Sequence, residues 1–257
     1  MTLHPDFLNR PIAHRALHDR AAGRPENSRA AIRAAVAAGY GIELDLQISA
    51  DGVAMVFHDD DLNRLTAATG PVRARTAADL GAIGLTDAED GIPTLAQVLE
   101  IVAGRAPLLI ELKDQSGQMG PDMAGLPEAT AAALKGYAGP VAVMSFNPHA
   151  MAEMAGHAPD IPRGLTTFEW PEDELPKRPG VAERRAHLLA IADYDAVGAC
   201  FISHHWRDLS RPRVAELKAQ GAAVLCWTIR SLEQEAEARQ IAQNITFEGY
   251  QAGFPAG

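Results

Sequence analysis

Short apolar runs alternate along the chain with stretches in which apolar residues return at helical spacing. PIAHRA (11–16) gives way to NSRAAIRAAVAAG (27–39), an Ala-rich helical pattern that closes on Gly39, a residue suited to the left-handed turn ending a helix. GIELDLQI (41–48) then reads as a strand. TLAQVLEIVAG (94–104) reads as a helix opening on a Thr cap, and it leads into APLLIELKD (106–114), a buried strand with charge at its far end.

The alternation continues. LPEATAAALKGY (126–137) precedes PVAVMSFNP (140–148), PHAMAEMAGH (148–157) precedes RGLTTF (163–168), and VAERRAHLLAIADY (181–194) precedes ACFISHH (199–205). RPRVAELKAQG (211–221) and SLEQEAEARQIAQ (231–243) lead into AAVLCWTIR (222–230) and NITFEGY (244–250). About eight strands joined by helical crossovers predict an α/β fold, a closed parallel TIM (β/α)8 barrel rather than an open sheet. No Pro-, Gly- or Ser-rich linker divides residues 1–257, so one domain is expected. Residues 59–92 and the Pro/Glu-rich 169–180 read as loops on that barrel.

Composition narrows the function classes. The 257 residues are 47% hydrophobic but only 5% aromatic, which predicts a core of Ala, Val, Leu and Ile. With 33 acids against 23 Lys and Arg the net charge is −10, and no basic run stands out, so nucleic acid is not the expected partner. MTLHPDFLNRPIAHRAL lacks the pattern of a signal peptide and no apolar run is long enough to cross a bilayer; the expectation is a cytoplasmic protein without stable membrane insertion. Cys200 and Cys226 lie in apolar runs and are expected as reduced core thiols. Oligomeric state is left open.

The stretch GIELDLQISADGVAMVFHD (41–59) carries the candidate chemistry. Glu43 and Asp45 leave the same face of a strand, being two residues apart. Asp51-Gly52 is a strong hairpin signal, and a two-residue turn there would place Asp45 opposite His58. Like charges on an apolar strand repel unless a cation or a proton is held between them, and a cation is the simpler remedy. Strand ends on the functional face of a barrel add His14, Arg15, Glu111 and Lys113. Three carboxylates suit Mg²⁺ or Ca²⁺, with Mn²⁺ possible, better than zinc. Arg15 and Lys113 beside such a metal point to an anionic ligand, phosphate being the obvious one.

HRA (14–16), PENS (25–28), ELD (43–45), DG (51–52), FHDDDL (57–62), IPTL (92–95), ELK (111–113), SF (145–146) and WT (227–228), in this order over nearly the whole chain, resemble the glycerophosphodiester phosphodiesterases. The resemblance implies a barrel of the phosphatidylinositol-phospholipase type, with a short β-hairpin extension after strand 2, that cleaves small-molecule glycerophosphodiesters to glycerol 3-phosphate and an alcohol. It implies His14 and His58 as the acid/base pair and Glu43, Asp45 and Glu111 as metal ligands. Arg15 and Lys113 would contact phosphate and Trp227 would wall the glycerol pocket. In such enzymes attack is attributed to the substrate's own 2-hydroxyl, giving a cyclic phosphate that water opens. Asn27, with Glu26, would reach the site or cap the following helix.

The chain also departs from the family pattern. Ala16 stands for a usual glycine, Ser28 for a threonine and Arg230 for an asparagine, while Glu248 either fills the place of the family's last Asp or is a surface acid. The 59–92 segment, an inserted lid in many relatives, is reduced here, which implies an open mouth. His204-His205-Trp206 would contact a head group or bind a transition metal, but with no third ligand at fitting spacing a pocket-wall or surface role is expected. Two rival readings are a phospholipase D or lysophospholipase D acting on lipid and a non-catalytic anion-binding barrel. The first would need an apolar lip, but Leu62, Leu65, Leu80, Leu85 and Trp170 read as scattered; the second would not need two histidines.

Overall fold

The computed structural model describes residues 1–88, 90–172 and 179–255, the side chains of residues 179 and 180 excepted. Eight parallel strands form the barrel: β1 (Ile12–Ala13), β2 (Gly41–Ile48), β4 (Leu108–Leu112), β5 (Val141–Ser145), β6 (Arg163–Thr167), β7 (Phe201–His205), β8 (Ala223–Ile229) and β9 (Asn244–Phe247). β1 pairs with both β2 and β9, which closes the ring. β3 (Ala54–Val56) runs antiparallel along β2 as a hairpin arm outside it.

Outside the barrel, the helical patterns fold where the periodicity placed them. In α2 (Arg29–Ala38) the Ser28 hydroxyl accepts from Ala31 N at the start, and Gly39 at φ +78° ends it. Thr94 and Gln97 form a reciprocal cap on α4 (Leu95–Val102). α5 (Leu126–Leu134), α6 (Pro148–His157), α7 (Pro179–Leu189), α8 (Pro212–Ala219) and α9 (Leu232–Ala238) supply the remaining crossovers. A short α1 (Asp6–Asn9), which the pattern does not announce, sets Phe7 against Ile12, Leu109, Phe201 and Leu225 as an apolar plug in the barrel. That interior is tight: a Cβ on Gly164 would lie 2.5 Å from the Phe201 ring.

Two expectations are corrected here. The turn between β2 and β3 is not a two-residue one. Leu46 faces Val56, Ile48 faces Ala54, and Ser49 N donates to Val53 O at 3.0 Å, so the loop is residues 50–52 with Gly52 left-handed at φ +78°. A glycine in that conformation is what a three-residue hairpin requires. The pairing slips by one, Phe57 N donates to Asp45 O at 3.0 Å, and Asp45 opposes Phe57 rather than His58.

The second correction concerns the 59–92 segment, read as loop with scattered apolar residues. Leu62, Leu65, Leu80 and Leu85 cluster with Met55, Phe57, Val72 and Ile92 in a satellite core under the hairpin, with α3 (Ala77–Ala82) within it. Trp170 is likewise buried, against Val181 and Leu188. None of these five forms an exposed lip. Of the 169–180 loop, residues 173–178 lie outside the described ones, as does residue 89 of the 59–92 segment.

Candidate active site

The strands deliver the acids by register. Glu43 pairs with Leu109 and Asp45 with Glu111 across the parallel β2–β4 ladder, so above the apolar plug the inward positions turn from Leu109 to Glu111 within two residues. Glu43, Asp45 and Glu111 are all buried, with carboxylate oxygens within 4.8 Å of one another. Burial, and then the charges of Asp45 and Glu111, push the Glu43 carboxyl well above the usual range. Lys113 and, farther off, Arg15 are the counter-charges set against these three acids. The donor set fits a hard cation and could hold a metal ion.

Lys113 Nζ lies 2.6 Å from Glu111 Oε1 and 2.7 Å from Asp45 Oδ1. Burial alone would lower its pKa, but the two carboxylates outweigh that and raise it. Asp45 responds in kind: burial pushes it up, yet Lys113, His58 and Arg15 hold it well below the usual carboxylate range. Asn27 Nδ2 donates to Asp45 Oδ2 at 2.9 Å. The helix cap expected as one role for Asn27 belongs instead to Ser28.

His14 follows β1, and the chain then turns through two left-handed residues, Arg15 at φ +52° and Ala16 at φ +65°. That turn aims Arg15 N at Glu43 Oε2, 2.7 Å away, and accounts for a glycine being usual at position 16. Arg15 Nε sits 3.7 Å from Asp45 Oδ2, while its NH1 donates to Glu26 Oε1 at 2.7 Å.

The two imidazoles share one arrangement. His14 Nδ1 donates to Glu248 Oε2 and His58 Nδ1 to Asp59 Oδ1, each at 2.6 Å. A carboxylate only accepts, so Nδ1 carries the proton in both rings and Nε2 is left for chemistry. Burial lowers the His14 pKa below 6.5 even though Glu248 opposes it. Glu248 is therefore no surface acid. Burial would raise its pKa, but the hydrogen bond from His14, the imidazole of His18 3.6 Å away and the charge of Arg230 hold it far below the carboxylate range. Arg230 NH2 lies 2.6 Å from its Oε1.

His58 reaches the site without the strand register expected of it. His58 follows the last ladder bond, from Phe57 N to Asp45 O, its own carbonyl accepts from Gln47 Nε2, and it lines with Glu111, Lys113, Phe146, Phe168 and Trp227 a cavity of about 840 Å³. Trp227 stands edge-on to Phe146, with ring centres 5.4 Å apart, and its indole N–H donates to Ser203 O. His204 is buried and engages Thr167 Oγ1 and Asp208 Oδ2. His205 Nδ1 donates to Glu169 Oε2, with its ring 5.2 Å from Trp227. Motif reading missed Arg64, which joins Asp59 to Glu26 and lies six residues after the histidine.

Fold and site define a class: a parallel α/β barrel that combines an acidic triad, two carboxylate-held imidazoles and the cations Arg15 and Lys113. Residues 14–244 match the sequence model of the Glycerophosphoryl diester phosphodiesterase family, and the chain belongs to that family. A glycerophosphodiester phosphodiesterase of Caldanaerobacter subterraneus subsp. tengcongensis is 32% identical over 150 residues, covering 55% of this chain and 60% of that protein. An Oleispira antarctica phosphodiesterase, solved in complex with the product sn-glycerol-3-phosphate, superposes with a TM-score of 0.75 at 24% identity, over 94% of this chain and 93% of that one. A glycerophosphodiester phosphodiesterase from Parabacteroides distasonis gives a TM-score of 0.72 at 23% identity, over 93% and 92% of the two chains. Among the described residues, no helix is long and apolar enough to span a membrane.

Proposed function

We propose that this protein hydrolyses glycerophosphodiesters to glycerol 3-phosphate and an alcohol, using one divalent cation held by Glu43, Asp45 and Glu111, and His14 and His58 as acid and base. The observation that carries this reading is the pair of imidazoles, each fixed at Nδ1 by its own carboxylate beside the buried acid triad. A bound Mg²⁺ or Ca²⁺ would polarise the phosphate and offset charge growing on its oxygens. Arg15 and Lys113 add positive charge at the same place.

One neutral imidazole takes at Nε2 the proton of the attacking hydroxyl, the substrate's own 2-hydroxyl, while the other ring, entering as imidazolium with a proton on each nitrogen, gives its Nε2 proton to the departing alkoxide. Water then opens the cyclic phosphate with the roles reversed. Asn27 keeps Asp45 aligned, and Trp227 with Phe146 and Phe168 forms the apolar wall against which the glycerol lies. In this reading the whole chain is one barrel domain, residues 59–92 are a short insertion, and the protein works in the cytoplasm. A lipid substrate has less support, since Leu62, Leu65, Leu80, Leu85 and Trp170 are all buried.

The test is release of glycerol 3-phosphate from a panel of glycerophosphodiesters, with and without chelator and with each divalent metal restored. Activity that depends on metal is expected. Full turnover in excess chelator, with no metal found by elemental analysis, would remove the cation from the proposal.

A further inference from the structure

We propose that Arg64 is a positioning residue that sets both halves of the site at once, holding His58 through Asp59 and Arg15 through Glu26. The inference rests on the phosphodiesterase reading above and adds a residue to it. Arg64 Nε donates to Asp59 Oδ2 at 2.7 Å and NH2 to Asp59 Oδ1 at 2.8 Å. On its other edge NH1 and NH2 donate to Glu26 Oε2 and Oε1, both at 2.8 Å. The guanidinium is thus forked onto two carboxylates, and each of these grips a residue of the site: Asp59 holds His58 Nδ1 at 2.6 Å and Glu26 holds Arg15 NH1 at 2.7 Å.

The chemistry needs a planar fork. A guanidinium presents its N–H groups in a fixed plane and can serve two carboxylates edge by edge, whereas an ammonium is a point charge that cannot span both. An isolated exposed pair would matter little. Here Glu26 and Asp59 are 13% and 24% exposed, and they come from segments far apart in sequence, the β1–α2 loop and the stretch after β3. Arg64 is itself 46% exposed and lines the same cavity as His58, but four of its five N–H groups go to these acids, so its main action is on the groups that hold His58 and Arg15. It connects the general acid/base side of the mouth to the phosphate side.

Four single variants separate the two arms: Asp59→Asn, Glu26→Gln, Arg64→Met and the milder Arg64→Lys, with unfolding midpoints measured to confirm folding. At saturating metal, Asp59→Asn should lower kcat by about tenfold to a hundredfold with little change in KM, and Glu26→Gln should raise KM, because it loosens only the phosphate contact. Arg64→Met should do both, Arg64→Lys should recover neither fully, and Arg64→Met added to Asp59→Asn should lower kcat by less than about twofold more. A second readout needs no turnover. The ¹⁵N spectrum of the His58 ring should show the Nδ1–H tautomer in the wild type and a tautomer mixture in Arg64→Met.

Kinetic constants within twofold of wild type in Arg64→Met, full additivity in the double variant, or an unchanged His58 spectrum would each overturn the role. Absence of any phosphodiesterase activity in the wild type, with the His58 spectrum still moving in Arg64→Met, would instead overturn the proposed reaction and leave the positioning role standing.

Discussion

Lys113→Met keeps the aliphatic stem and removes one charge from the centre of the acid cluster. In the folded protein the ammonium lies within 2.7 Å of both Asp45 and Glu111, and its side chain is 15% exposed. Removing one partner of a buried ion pair costs about 3–5 kcal/mol, because the remaining charges stay desolvated. For a chain of this size each kcal/mol moves the unfolding midpoint by about 2–4 °C, so a drop of about 6–20 °C is expected in chelator. Saturating Mg²⁺ or Ca²⁺ should narrow that gap, since a dication then neutralises the same carboxylates. Turnover at saturating metal should nevertheless fall at least about tenfold, or about 1.4 kcal/mol, the effect of losing one charged stabiliser of the transition state. Thermal unfolding and steady-state kinetics, each run across a metal titration, make the comparison. An unchanged midpoint in chelator would refute the counter-charge argument, and wild-type kcat at high metal would place Lys113 in the metal site and not against substrate.

His14→Ala and His58→Ala should each lower kcat by about a hundredfold or more while circular dichroism stays native; near-wild-type turnover would remove that residue from the acid/base pair. Glu248→Gln should shift to lower pH whichever limb of the kcat/KM profile His14 sets, the acid limb if it is the base and the alkaline limb if it is the acid. Burial already depresses the His14 pKa and Glu248 opposes it, so deleting the carboxylate charge depresses it further and keeps His14 neutral to lower pH. A limb that stays put or moves up would contradict the pairing. Thermal midpoints of the wild type should rise on adding Mg²⁺ or Ca²⁺ as RT ln(1 + [L]/Kd), about 2.7 kcal/mol at a hundred times Kd; no rise in the wild type together with no loss in chelator would argue against a cation at the triad.

The β/α alternation was legible because hydrophobic period is local: GIELDLQI and PHAMAEMAGH carry their own strand and helix spacing, and Gly39 and Thr94 mark ends by local chemistry that needs no distant partner, though which of Asn27 and Ser28 caps α2 was settled only by the structure. Glu43 and Asp45 were assigned to one face for the same reason, a spacing of two on a strand. What tertiary structure decided lies where partners are remote or a backbone choice is binary. The Asp51-Gly52 signal could not distinguish a two-residue from a three-residue turn, and that single residue moved Asp45 from His58 to Phe57. Glu248 is 234 residues from His14, Glu26 is 38 from Arg64, and Lys113 lies between Asp45 and Glu111 only because β4 lies alongside β2 in one register. Charges on separate strands and loops have no periodicity to betray their pairing. Barrel closure through β1, bonded to both β2 and β9, brings them within hydrogen-bonding distance.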